Sequence, residues 1–68
     1  MSTAEIRIED GQLLDQMMQM RIWLDRCQFE PSIFRYFHSG SGMVVRIAFP
    51  AEAEARAFAT EFEGRILP

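Results

Sequence analysis

Ile33-Phe34-Arg35-Tyr36-Phe37-His38-Ser39-Gly40-Ser41-Gly42-Met43-Val44-Val45-Arg46-Ile47-Ala48-Phe49 is the stretch that decides the fold. Two runs rich in β-branched and aromatic residues flank a Ser-Gly-Ser-Gly segment, and such runs favour extended strands. Glycine supplies the positive φ that a tight turn requires, so the stretch predicts a β-hairpin. Centring the turn on Gly40 and Ser41 sets His38 opposite Met43, Tyr36 opposite Val45 and Phe34 opposite Ile47. Because side chains alternate along a strand, this register sorts the residues onto two faces. Phe34, Tyr36, Met43, Val45, Ile47 and Phe49 share an apolar face that needs covering. Ile33, Arg35, Phe37, Val44, Arg46 and Ala48 share the other.

The flanking sequence supplies the cover. Leu13, Met17, Met20, Leu24 and Cys27 recur at steps of four, three, four and three, the stripe of an amphipathic helix. Trp23 widens that stripe, and the predicted helix runs from about Gly11 to Cys27, with Asp10 as N-cap. Pro31 forbids much extension. Met18 and Ile22, four apart, form a second ridge on another side of the helix. On the C-terminal side, Pro50 ends the hairpin and opens a second helix. Ala51, Ala55, Phe58 and Phe62 repeat at helical spacing, Glu52 and Glu54 sit early where the dipole favours acids, and Gly64 is a stop signal. Before the first helix, Glu5-Ile6-Arg7-Ile8-Glu9 alternates and reads as a strand with Ile6 and Ile8 inward. Arg65-Ile66-Leu67 is a candidate final strand.

The order β-α-β-β-α, with a possible last β, predicts one α+β domain over residues 1–68. Its three- or four-stranded, mostly antiparallel sheet carries two helices on one face. The arrangement resembles the ferredoxin-like (split βαβ) architecture over nearly the whole chain, a likeness of element order that transfers no activity. Gly42 through Leu67 also resembles the third strand and second helix of an RNA-recognition motif. In that frame Val44 and Arg46 stand where the motif carries base-stacking aromatic rings, a departure from its pattern.

Composition narrows the function. The chain has 68 residues, six Phe, five Met, one Trp, one Cys and a formal net charge of −3. A domain this short buries only about 60% of its unfolded surface, and help from a disulfide is excluded by a lone cysteine. Self-association is therefore an expected source of stability. The negative charge argues against nucleic acid and anionic membranes as partners. All seven cations are arginine, which is the mark of an arginine- and alanine-rich genome rather than of carboxylate or phosphate recognition. No apolar run approaches the roughly 20 residues of a membrane span. The start of the chain lacks the pattern of a signal peptide, and one unpaired cysteine suits a reducing cytoplasm.

No catalytic or cofactor constellation is expected. His38 beside the turn has no nucleophile or carboxylate placed near it, and Cys27 reads as a buried, inert thiol on the apolar stripe. Metal binding needs about four ligands, more than one His and one Cys provide. The Ser-Gly-Ser-Gly segment joins two strands and so lacks the helix N-terminus of a phosphate loop. The surface that does invite a function is the uncovered sheet face, where Arg7, Ile33, Arg35, Phe37, Val44 and Arg46 mix guanidinium and apolar groups, flanked by Glu5 and Glu9. Such mixtures mark interfaces. The expectation is a non-enzymatic interaction module that homodimerises or takes a protein partner there. Met18 and Ile22 form a second interface candidate, with a wider buried helix stripe as the equal alternative. A ligand-sensing domain and a weak nucleic-acid binder are the other classes left open.

Overall fold

The computed structural model describes residues 1–9 and 11–67. Along the chain run β1 (Ser2–Glu9), α1 (Leu13–Cys27), β2 (Ile33–Ser39), β3 (Gly42–Phe49), α2 (Glu52–Glu61) and β4 (Arg65–Ile66). All pairings are antiparallel, in the order β2-β3-β1-β4. With both helices on one face, this is the ferredoxin-like α+β arrangement.

The hairpin register is the one its turn dictates: His38 pairs with Met43, Tyr36 with Val45 and Phe34 with Ile47. Gly40 takes φ +63°, the left-handed conformation that glycine adopts without penalty. β1 starts three residues earlier than its Glu5–Glu9 alternation suggests, because Ala4 and Ser2 continue the ladder against Ile47 and Phe49. The proposed N-cap, Asp10, lies outside the described residues; α1 begins at Leu13, two residues later than expected.

The core lies between sheet and helices. Ala4, Ile6 and Ile8 of β1 meet Met43, Val45, Ile47 and Phe49 of β3, roofed by Met20, Leu24, Ala55, Phe58 and Ala59. An aromatic cluster joins the helices: Trp23 lies 5.6 Å from Phe29, 5.6 Å from Phe58 and 6.0 Å from Phe62, and Phe49 lies 5.5 Å from Phe58. The pairs of Trp23 are edge-on, the favoured geometry for aromatic rings.

Both helices end in the same way. Phe29 N–H donates to the Leu24 carbonyl and Gly64 N–H to that of Ala59, the six-to-one bond of a Schellman cap. The left-handed residues of these caps are Gln28 (φ 59°) and Glu63 (φ 56°), neither of them glycine. Gly64 is therefore needed for a different reason than a helix stop. A Cβ there would collide with the Glu5 carbonyl and the Ile6 Cδ1, so this glycine lets the chain press against β1 and start β4.

Three expectations are corrected. Tyr36 is on the helix-facing side but remains 57% exposed. The aromatic cluster joins α1 to α2, so the helices lie over β1, β3 and β4; on β2 Phe34 packs against the core but Tyr36, nearer the turn, is left uncovered. Cys27 is exposed, because α1 buries only Met20 and Leu24 and its last residue runs past the sheet. Val44 points to the uncovered face yet is 3% exposed. It sits on a central strand between Phe37 and Arg7, whose longer side chains close over it.

Candidate functional site: the uncovered sheet face

The side of the sheet away from the helices is built in rows across the strands. Ile33, Ala48 and Thr3 form one row, Arg35, Arg46, Glu5 and Arg65 the next, and Phe37, Val44 and Arg7 the third. The registers alone bring residues from four strands together. Of the predicted residues, Arg7, Ile33, Arg35, Phe37, Val44 and Arg46 therefore share this face, whereas Met18 and Ile22 lie on α1, on the other side of the sheet. Both are exposed, as is Leu14.

Glu5 anchors the middle row. It accepts a hydrogen bond from Arg46 Nε at 2.9 Å on one oxygen and from Arg65 Nε at 2.9 Å on the other. Its side chain is shut off from water by these two guanidinium groups, although few other protein atoms surround it on this one-layer face. The Arg46 hydrogen bond holds its carboxyl below the ordinary range, against an opposing push from desolvation, and the Arg65 bond and both positive charges add to the lowering. Arg46 also lies over the Phe37 ring, 5.0 Å from its centroid, a cation–π contact.

Arg46 and Arg65 are thus tied down. Arg7 and Arg35 form no ion pair with any described residue. Arg35 stands directly opposite Arg46 across the β2–β3 ladder, a like-charge pairing that costs stability unless an anion relieves it. Phe37, 41% exposed, and Ile33 provide apolar surface beside these groups. A shallow cleft of about 390 Å³ lies where Arg7 and Arg65 approach Glu63 and Gly64.

Charge is unevenly divided. The face carries four arginines and two glutamates, a net +2, whereas the other described residues carry three arginines and seven acidic residues, a net −4. An acidic protein therefore presents one basic side. Sequence reasoning placed Glu5 at the margin of this face; the sign that it belongs at the centre was its alternation with Ile6, which aims it to the side opposite the core.

Val44 and Arg46 do occupy the open face of β3, but Val44 is covered and Arg46 is committed to Glu5 and Phe37. Among the described residues no cluster of His, Cys, Asp and Glu is suited to a metal ion, and no helix is long and apolar enough to cross a membrane. No protein-family profile, curated protein or solved structure matches the chain.

Proposed function

We propose that this domain is an interaction module whose uncovered sheet face receives an acidic segment of a partner protein. The observation that carries the reading is the concentration of four of seven arginines on one face of an acidic chain, two of them without an ion pair among the described residues, around the exposed Phe37. Guanidinium groups bind carboxylates bidentately, and an exposed ring between them adds apolar contact. The same charges disfavour two copies meeting through this face, since arginine would oppose arginine.

The test is a titration of isotope-labelled protein with a short Glu- and Asp-rich peptide carrying apolar residues, and separately with a single-stranded oligonucleotide. Amide shifts confined to Ile33, Arg35, Phe37 and Arg46, weakening with salt and lost in Arg35→Glu, are the expected result. That variant also replaces the Arg35–Arg46 repulsion by an attraction, so a folding defect does not confound it. Silence toward the peptide, or shifts on the helical side, would refute the reading. Tighter binding of the oligonucleotide would move the assignment to nucleic acid.

A further inference from the structure

The two edges of the sheet differ. β4 spans two residues, so that edge offers little to pair with, whereas β2 exposes a full seven-residue strand with no proline. Long, unprotected edges of this kind recruit another strand. The direction of the free backbone groups follows from bonds already made. Ala48 offers its carbonyl to Ser32, toward β2, and Thr3 offers its own to Leu67, toward β4. Backbone groups alternate in direction along a strand, so Gly42, Val44, Arg46 and Ala48 turn theirs toward β2. Their partners Ser39, Phe37, Arg35 and Ile33 are then satisfied within the hairpin. Phe34, Tyr36 and His38 turn their N–H and C=O groups outward.

We infer that a second copy of this chain pairs here, β2 against β2, antiparallel about a twofold axis through Tyr36. Tyr36 is the midpoint of Ile33–Ser39 and points outward, so this register alone pairs all seven residues of both strands. It also places each Arg35 opposite the other copy's Phe37, where a guanidinium meets a ring. Shifting the axis by one residue either way pairs only five residues of each strand, and sets Arg35 against Arg35 or Phe37 against Phe37. The strand is self-complementary in the register of greatest overlap, and that is what identifies the occupant.

Surroundings of the edge agree. Trp23 faces α2, and the exposed Leu14 lies about 180° round the helix from it, on the flank of α1 away from α2, whereas Met18 and Ile22 turn away from the sheet. In the dimer the two exposed Tyr36 rings meet beside the axis on this helical side, which removes apolar surface from water on both copies. The axis is perpendicular to the sheet, so both helical layers stay on one side and both arginine faces stay open. This dimer does not rest on the acidic-partner reading and is tested without any ligand.

Sedimentation across the micromolar range should give twice the chain mass of 7.9 kDa, with the amides of Phe34, Tyr36 and His38 protected from exchange in step with dimer content. Tyr36→Lys, which opposes two cations at the axis, should weaken dimerisation about tenfold or more while the hairpin amides of Arg35 and Phe37 stay protected. Tyr36→Pro removes the outward N–H together with the ring, and should likewise weaken the dimer while the hairpin amides of Arg35 and Phe37 stay protected. A single-chain mass at every concentration overturns the inference. So does a dimer whose Phe34, Tyr36 and His38 amides exchange freely.

Discussion

Glu5→Gln isolates the one charged group that the fold encloses among the described residues. In the native protein each Glu5 oxygen accepts a guanidinium hydrogen bond at 2.9 Å. The glutamine keeps the shape and one acceptor but turns an N–H donor toward one of the two arginines. A charge-assisted bond contributes about 1.5–3 kcal/mol when buried. Here the arginine side chains are 48% and 72% exposed, so both can reach water once released and most of that value is screened. We expect a loss of about 2 kcal/mol for the two bonds together, most of it on the Arg46 side, where the partner is less exposed and also covers Phe37. Each kcal/mol moves the midpoint of a domain this small by about 4–8 °C, so the melting temperature should fall by about 8–16 °C at neutral pH.

The dependence on pH distinguishes this account from simple packing damage. The Glu5 carboxyl is depressed in the folded state, chiefly by its Arg46 hydrogen bond. A depressed folded value means that stabilisation is complete above the unfolded value of about 4.3 and disappears as pH falls through the lower folded value. Urea unfolding of both proteins should therefore show a gap at pH 7 that begins to narrow as pH falls past the unfolded value of about 4.3 and closes only below the lower folded value, where the native carboxyl becomes protonated. A variant as stable as the native protein at neutral pH, or a gap that persists in acid, would refute the reasoning.

Further outcomes follow from the backbone and the thiol. Gly64→Ala drives a Cβ into the Glu5 carbonyl; it should cost more than about 2 kcal/mol in urea unfolding and release the Leu67 amide from its bond to Thr3. Glu63→Gly relieves a left-handed residue at the end of α2 and should raise stability by about 0.5–1 kcal/mol, read as a higher melting temperature. Cys27, exposed at the end of α1, should react with a thiol reagent in the native state at a rate that urea scarcely changes, whereas a buried thiol would need unfolding first.

Much of the architecture was legible because it is local. Gly40 and Ser41 set the β2–β3 register within a few residues, and period-four spacings from Leu13 and Ala51 set the two helices. What escaped depends on contacts distant in sequence. Glu5 is 41 residues from Arg46 and 60 from Arg65, so its central place in the ion-pair row required the strand order as well as the alternation. Tyr36 and Phe34 lie on the face that periodicity assigned them, and Phe34 packs against the core, but no pattern in α1 reveals that Trp23 would commit the helix to α2 and leave Tyr36 uncovered. Val44 illustrates the same limit: alternation gave its direction, while its burial comes from Phe37 and Arg7 on neighbouring strands.

The uncovered strand and the basic face have one origin in the packing. A chain of 68 residues has two short helices with which to cover four strands, and the aromatic cluster concentrates both on the β1, β3 and β4 side. β2 keeps Phe34 packed against the core but leaves Tyr36, its open side and its outer edge in contact with water. Pairing β2 with a second copy would satisfy the edge and shelter Tyr36, yet it would leave Arg35, Arg46 and Arg65 accessible. It would also join the two arginine rows into one surface across the twofold. An acidic partner with two suitable segments would then bind the second as an intramolecular event, with affinity gained from linkage and no new contact. A peptide with two acidic segments should accordingly bind the native protein more tightly than a single segment does, and lose that advantage, but not its single-site affinity, in Tyr36→Lys. Equal affinity of the one- and two-segment peptides for a protein shown to be dimeric would separate the two surfaces and leave each to stand alone.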